Sequence, residues 1–424
     1  MSARVTPPLS DPTVFEELFA PVAGKAVLGL AISGGADSLA LMLLAAHWAS
    51  GRADRPRLIV YSVNHGLRPE AADEVRIVLA QAAKLGLPAR GLAWRDGHPA
   101  TGLQQAAREA RYRLIGAAMA EDGAEMLMTA HHRNDQAETV LMRLAHGSGI
   151  EGLKGMEPFS LVAGVPIFRP LLEADPAELA GLVAQAGLTP VADPSNADTA
   201  YERVRWRALL PQLAEMGLDA PTLSRFAQRM GEADRALAGI ADAAFESLVV
   251  LDGFGAARLD RTAFRALSPA IGARVLSRLL NIVGGRQKPR ALGQVERLTQ
   301  GLVAPEPVKA TTMLGCVTRA DEGAIIVARE PGRQTPPDLA LVPGGEIIWD
   351  QRFRIRNVSP DTAFTAGVAD YLPRHRLQDF LGFKVTAPAE ALRTAPIVRD
   401  EAGGVLSLGG WSFDERIAVE LLID

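Results

Sequence analysis

The apolar run Ala26-Val27-Leu28-Gly29-Leu30-Ala31-Ile32 passes directly into Ser33-Gly34-Gly35-Ala36-Asp37-Ser38 and then into Leu39-Ala40-Leu41-Met42-Leu43-Leu44. Such a succession specifies a buried strand, a tight turn and a helix start. Two adjacent glycines take backbone conformations closed to other residues, so successive N–H groups can converge on one point beside the positive end of a helix. That place suits a phosphate. No lysine stands in the turn and no G-x-x-x-x-G-K-[ST] string occurs in the chain, which excludes the loop that grips a γ-phosphate. The serines and backbone N–H groups are suited instead to a pyrophosphate.

At 424 residues the chain exceeds one ordinary core, so two or three domains are expected. A composition of 48% hydrophobic and 22% charged residues is that of a soluble globular protein. No apolar run reaches the length of a membrane span, and Met1-Ser2-Ala3-Arg4-Val5-Thr6-Pro7-Pro8 lacks the hydrophobic centre of a signal peptide. A cytoplasmic protein is expected. The single cysteine, Cys316, excludes an internal disulfide framework and any cysteine-only zinc or iron–sulfur site. A net charge of −4 does not advertise a nucleic-acid binder, but net charge conceals local patches.

Around the opening motif the first half alternates strand-like and helix-like runs. Strands are expected at residues 26–32, 58–63, 89–94 and 126–130, and helices at 37–49, 70–85, 103–119 and 135–144. Buried, non-alternating strands between amphipathic helices argue for an α/β fold with a parallel sheet covered on both faces. Ligands of such sheets lie beyond the carboxyl ends of the strands, where each polar cluster of this region falls. From about residue 200 arginine-bearing helical patterns take over, as in 201–213 and 222–249. Later the chain breaks into short strand-like segments such as 323–328, 346–349 and 353–356, with 330–337 resembling a linker. The expected domains are 1–215, 216–330 (mainly helical) and 331–424 (small, β-rich, α+β).

Several clusters carry chemistry. In His131-His132-Arg133-Asn134-Asp135-Gln136-Ala137-Glu138, the spacing of His131, Asp135 and Glu138 places them on one face if the stretch is helical throughout. Two carboxylates and an imidazole can hold Mg²⁺, recognise a cation, or act as acid and base; helix-start acids complementing the dipole are the plainer reading. The turn Val63-Asn64-His65-Gly66-Leu67-Arg68 lies where an adenine or ribose would sit, so Val63 and His65 join Ser33, Gly34, Gly35, Ala36, Asp37 and Ser38 as nucleotide-binding candidates. Arg108 and Arg111 share a helix face and can meet a phosphate or a developing negative charge, against a plain solvated face that Glu109 nearby permits. Arg203 and Arg207, one turn apart with Trp206 close by, suit an RNA backbone and an unstacked base, against a solvated basic face. Between Asp260 and Glu296 no acid occurs, while Arg261, Arg265, Arg274, Arg278, Arg286, Lys288 and Arg290 do, which reads as a footprint for phosphates.

With these residues in view, S-G-G-x-D-S resembles the PP-loop of ATP pyrophosphatases, and the chain resembles the tRNA(Ile)-lysidine synthetases within that superfamily. The resemblance runs from Ala26 to about Leu213 through Ser33–Ser38, Asn64–Glu70, Ala107–Tyr112, Thr129–Thr139, Leu141–Leu144, Gly147-Ser148-Gly149, Arg169-Pro170-Leu171-Leu172 and Asp193-Pro194-Ser195-Asn196. Two positions depart from the family pattern: His146 stands where an arginine is expected, and Glu202-Arg203-Val204-Arg205 lacks an asparagine after its first arginine. The resemblance implies adenylation of the wobble cytidine of a CAU anticodon by ATP, then ligation of free L-lysine, with release of pyrophosphate and AMP. It further implies that Ser33, Gly34, Gly35 and Ser38 bind pyrophosphate and that Asp37 organises Mg²⁺ or the charged intermediate. Asp135 and Glu138 would hold lysine, His131 or His132 would accept its proton, and Arg108 or Arg111 would support phosphate charge. Arg203, Arg207, Arg274 and Arg278 would contact tRNA(Ile). No membrane partner is implied, and a homodimer is compatible.

Three rivals share parts of this pattern. A tRNA thiolase needs cysteines to carry sulfur or hold a cluster, and Cys316 stands alone within Leu314-Gly315-Cys316-Val317, which reads as strand. GMP or NAD synthetases share the loop but need neither the acid-free arginine stretch nor the further domains. A tRNA-binding protein with a degenerate pocket fits poorly with a complete loop.

Overall fold

The computed structural model describes Leu9 and residues 11–52, 54–68, 70–95, 97, 99, 101–191, 198–285, 292–332, 337–369 and 372–423. It divides into two compact units, Met1–Asp234 and Arg235–Asp424. In the first unit the order is α1 (Pro12–Phe19), β1 (Val27–Ala31), α2 (Ala36–Ser50), β2 (Arg57–Asn64), α3 (Ala71–Lys84), β3 (Ala89–Ala93), α4 (Leu103–Asp122) and β4 (Met126–Met128). It continues with α5 (Arg133–Ala145), α6 (Ile150–Leu153), β5 (Phe159–Val162), β6 (Val165–Phe168), α7 (Pro176–Gln185) and α8 (Glu202–Glu215). Helix α9 (Ala220–Leu248) carries the division between the units.

The strands form one sheet in the order β3-β2-β1-β4-β6-β5, parallel except for β5 at the edge. The α/β class follows from the alternation. Strand β2 shows why both faces must be covered: Leu58 and Val60 enter one core with Leu28, Leu30, Leu39 and Trp48, whereas Ile59 and Tyr61 enter the other with Tyr112, Ile115 and Leu127. Helix α2 is apolar nearly all round, with Leu39, Ala40, Leu41, Met42, Leu44, Ala45, Trp48 and Ala49 buried, so it packs as an inner helix rather than a surface one. The parallel strands bring residues 33–38, 65, 131 and 169 to a common carboxyl edge.

The second unit holds β7 (Val249–Leu251), β8 (Ala257–Asp260), α10 (Arg261–Arg265), α11 (Pro269–Gly284), α12 (Leu292–Val303), β9 (Val308–Met313), β10 (Cys316–Ala320) and β11 (Ala324–Arg329). These strands make an antiparallel sheet, β7-β8-β11-β10-β9, covered by Leu276, Leu279, Leu280 and Val283 of α11. The segment 216–330 is therefore helical and sheet together, where its arginine-rich periodicity suggests helices. There follow β12 (Leu339–Leu341), β13 (Glu346–Trp349), β14 (Phe353–Asn357), β15 (Phe364–Val368), α13 (Arg374–Leu381), α14 (Ala389–Leu392), β16 (Pro396–Arg399), β17 (Val405–Leu408), β18 (Trp411–Ser412) and β19 (Ile417–Leu421), in sheets β12-β15-β16-β17-β18 and β13-β14-β19. Leu314 and Gly315, expected in a strand, are the two-residue turn between β9 and β10, with φ of 53° and 77°. Positive φ at both positions matches the twist of a tight hairpin.

Candidate active site at the carboxyl edge of the parallel sheet

The glycine turn has the geometry its sequence calls for. Gly34 has φ 95°, and a Cβ there would lie 2.9 Å from Val191 Cγ2 and 3.2 Å from Val78 Cγ2, so conformation and space both demand glycine. Gly35 caps α2 without a side-chain hydrogen bond, leaving first-turn N–H groups for an anion. Ser38 Oγ accepts the Gly34 N–H at 3.1 Å and donates to Gly35 O at 2.9 Å, while Ser33 Oγ lies 3.4 Å from Ser38 Oγ. Ala36 and Asp37 open the helix, and the Asp37 side chain is 40% exposed.

Beyond β4, the two histidines separate in role. Helix α5 starts at Arg133, so His131 precedes it and does not share a face with Asp135 and Glu138, contrary to the helical expectation. His132 is the N-cap: its Nδ1 accepts the backbone N–H groups of Asn134 and Asp135 at 3.2 and 3.4 Å, and Asp135 Oδ2 accepts the His132 N–H at 3.0 Å. Its Nε2 faces Asp37 Oδ2 at 3.5 Å and Asp135 Oδ2 at 3.4 Å. Burial pushes the His132 imidazole down, but hydrogen bonding to Asp37 and the charges of Asp135, Asp37 and Glu138 outweigh it and raise its pKa. His131 Nδ1 pairs with Thr129 Oγ1 at 2.9 Å. Burial first, then the charges of Arg169, Arg203, Arg108 and His132, push His131 down to about 3, which holds the ring neutral.

The acids of α5 are already matched. Glu138 is fully buried, its Oε2 2.5 Å from Arg203 Nε and its Oε1 2.6 Å from Arg207 Nε; Asp135 Oδ1 accepts from Arg203 Nη2 at 2.9 Å. A carboxylate without solvent requires such partners. Arg203 and Arg207, read in sequence as facing RNA, turn toward α5, and Ala137, Val140, Leu141 and Leu210 pack beside them. His146, one of the departures from the family pattern, meets the start of α8: its Nε2 lies 3.0 Å from Glu202 Oε1, which also accepts from Trp206 Nε1 at 3.2 Å.

At the end of β2, Val63 leads into His65, whose Nε2 lies 3.3 Å from Arg111 Nε and 3.2 Å from Arg111 Nη2. Arg68 turns away to Glu74 at 3.0 Å. Arg108 stacks over Tyr112 at 5.1 Å. Residues 193–196, with Arg286, Lys288 and Arg290, lie outside the described residues.

In the second unit three arginines of the acid-free stretch have partners within the fold. Arg261 is fully buried and donates to four backbone carbonyls, and Arg265 donates to Val303 O and Ala304 O. Arg278 pairs with Asp242 at 2.9 Å and lies 4.3 Å from the Phe245 ring centroid. Counter-charge and acceptors come from outside the stretch. Arg274 lies with Arg278 on α11. Three residues at the first unit's edge received no role from sequence: Thr129, Arg143, which donates to Gly152 O and Gly155 O, and Arg169. Their motifs were visible, but burial was the missing signal.

A family model described as a PP-loop domain matches residues 10–213. The chain is 42% identical over 344 residues to the tRNA(Ile)-lysidine synthase of Bradyrhizobium diazoefficiens, covering 76% of this chain and 95% of that protein. It is 44% identical over 333 residues to the tRNA(Ile)-lysidine synthase of Rhodopseudomonas palustris, covering 76% of this chain and 96% of that protein. Among solved structures it is similar to the U34-tRNA thiolase NcsA of Methanococcus maripaludis, with a TM-score of 0.45 and 17% identity over 52% of this chain and 78% of that one.

Proposed function

Because the chain belongs to the tRNA(Ile)-lysidine synthase family, we propose that the carboxyl edge of its parallel sheet joins L-lysine to the wobble cytidine of the CAU anticodon of tRNA(Ile) by way of an adenylated base. The chain is an ATP-dependent ligase of tRNA modification. The observation that carries the reading is the meeting of an uncapped, glycine-shaped anion turn with the start of α5, where His132 Nε2 faces both Asp37 and Asp135.

In this reading Ser33, Gly34, Gly35, Ala36 and Ser38 hold the pyrophosphate portion of ATP, and Val63 and His65 border its adenosine. Arg108 and Arg111 balance negative charge on phosphorus. Among the described residues no three His, Cys, Asp or Glu side chains gather as a metal centre. The exposed Asp37 carboxylate nevertheless fits Mg²⁺, which is commonly held by one or two carboxylates together with substrate phosphates. When bound, that ion neutralises phosphate charge.

His131 takes the lysine ε-amine proton through Nε2, which has no partner among the described residues, and it gains the basicity for this when bound phosphate offsets the cations that hold its pKa near 3 in the free chain. This role requires the tautomer in which Nδ1–H donates to Thr129 Oγ1. His132, with Nδ1 committed to capping and Nε2 to carboxylates, positions Asp37 and Asp135. Asp135 and Glu138 bind the ammonium form of lysine when Arg203 and Arg207 transfer their pairing to RNA phosphate. Arg274 and Arg278, in the tRNA-binding domain at 216–330, add backbone contacts, with 331–424 as a separate C-terminal domain. The reaction belongs in the cytoplasm, and the reading accommodates a homodimer, which sedimentation tests.

Mass spectrometry of the anticodon loop after incubation with ATP, lysine and tRNA(Ile) should show lysidine. Asp135→Asn should raise the KM for lysine at least about tenfold, as loss of a charged hydrogen-bond partner does, while ATP affinity stays within about twofold. Equal loss of both sinks the lysine assignment.

A further inference from the structure

Arg169 follows β6, and its neighbour Phe168 accepts the Thr129 N–H at 3.0 Å, so it stands beside the strand end that leads to His131. It is 5% exposed. Its Nη1 donates to Glu157 O at 2.7 Å and to Ser160 Oγ at 2.9 Å. Its Nε is buried with no hydrogen-bond partner, and Nη2 has none among the described residues. The empty pair, Nε and Nη2, is the edge of the guanidinium that grips a carboxylate or phosphate with two parallel bonds.

Other arginines with a buried unpartnered nitrogen keep a carboxylate: Arg52 has Asp54, Arg133 has Asp175, Arg352 has Asp350 and Arg399 has Asp338. Arg169 has none among the described residues. Its electrostatic neighbours include Arg108 and Arg143, and Glu157 is itself paired with Lys154 at 3.2 Å. A buried cation without a counter-ion is costly unless an anion completes it.

We propose that Arg169 binds a phosphodiester of the RNA strand beside the cytidine being modified. This rests on the lysidine-forming reading above. The strand order β2-β1-β4-β6 sets the source of the phosphate. The pyrophosphate turn follows β1 and the adenosine side lies toward β2, so β6 is two strands away in the opposite direction, about 10 Å at the usual strand spacing. Of the two substrates beyond that edge, lysine is held through its ammonium group by Asp135 and Glu138, which leaves the RNA phosphate for Arg169. A raised KM for lysine in Arg169→Met, with tRNA use unchanged, would overturn this in favour of the lysine α-carboxylate.

The test uses the full chain with two kinds of tRNA(Ile): unmodified, and carrying one neutral methylphosphonate linkage immediately 5′ or 3′ of the wobble cytidine. Arg169→Met should lower kcat/KM for unmodified tRNA by about 10- to 100-fold and reduce the salt slope by about one. Its ATP affinity, measured without tRNA, should stay within about twofold. In the wild type, one of the two methylphosphonates should cause a comparable loss, and Arg169→Met should lose nothing further on that substrate. Arg169→Lys, which keeps charge without the two-bond edge, should fall between.

Loss of ATP affinity in a folded Arg169→Met chain overturns the proposal in favour of a nucleotide phosphate. Additive losses overturn it in favour of a brace for the β5–β6 hairpin. If Arg169→Met does not fold, Arg169→Lys against the two methylphosphonates decides by the same criterion. Absence of lysidine from the wild type overturns the reaction instead, which separates the two failures.

Discussion

Arg261 and Arg169 are both buried guanidinium groups, one in each compact unit, and they are satisfied differently. Arg261 donates to Leu302 O at 3.0 Å, Asp321 O at 2.5 Å, Ala304 O at 2.7 Å and Glu306 O at 2.6 Å, so Nε and both Nη atoms have acceptors. It ties the end of α12 to the turn between β10 and β11. Arg169 uses Nη1 alone. A saturated buried arginine fastens chain to chain, whereas one with an empty two-bond edge beside reactive groups is built around something still to arrive.

Removing the saturated group should do the most damage. Arg261→Met leaves four carbonyls without their donor, one buried and three partly buried, at about 1 to 3 kcal/mol for each that stays unpaired and out of water. Even with partial relaxation, a loss of about 4 kcal/mol is expected, read as a lower urea midpoint for the second unit. Lysine at 261 cannot reach the same acceptors and should recover little. A change below about 1 kcal/mol would contradict the fastening role.

The same contrast explains what the sequence disclosed. The strands, helices and glycine turn near the opening motif were legible because apolar periodicity and paired glycines are local signals. Arg261 was not, since its acceptors lie 41 to 60 residues along the chain. The start of α5 was displaced because a histidine caps it in place of the usual Ser, Thr, Asp or Asn. The β5–β6 hairpin escaped because its turn places Ala163, at φ 49°, beside Gly164; alanine does not advertise a left-handed turn. At Arg203 and Arg207 the spacing was readable but the direction was not, because Glu138 sits 65 and 69 residues away in sequence.

A middle-sized effect tests whether the charge around Arg169 is as uncompensated as its contacts indicate. The folded chain holds His131 neutral, with a pKa near 3 against an ordinary 6.5. As pH falls below 6.5 the unfolded chain takes up the proton first, so stability declines from there toward pH 3. Between pH 7 and 5 the decline from this group is about 2 kcal/mol. Urea midpoints should therefore drop more steeply with acid in the wild type than in His131→Asn. Arg169→Met should soften the same decline by removing one cation facing the ring; parallel curves for wild type and His131→Asn would refute the neutral histidine.

The smallest expected stability change is at Arg169 itself. Methionine there leaves Glu157 O and Ser160 Oγ without a donor, which costs about 1 to 2 kcal/mol in total once partial solvation is allowed. It also removes a buried charge that has no carboxylate partner, a gain of similar size, because apolar groups commonly replace buried ions without loss. The two contributions oppose, so the net change should lie within about 1 kcal/mol of zero. Thermal unfolding of Arg169→Met should then overlay that of the wild type to within a few degrees, even though its use of tRNA is crippled. Adding tRNA should restore the difference: RNA that engages Arg169 stabilises the wild type by mass action and the variant less. A large destabilisation of the RNA-free variant would make Arg169 a fastener of the Arg261 kind.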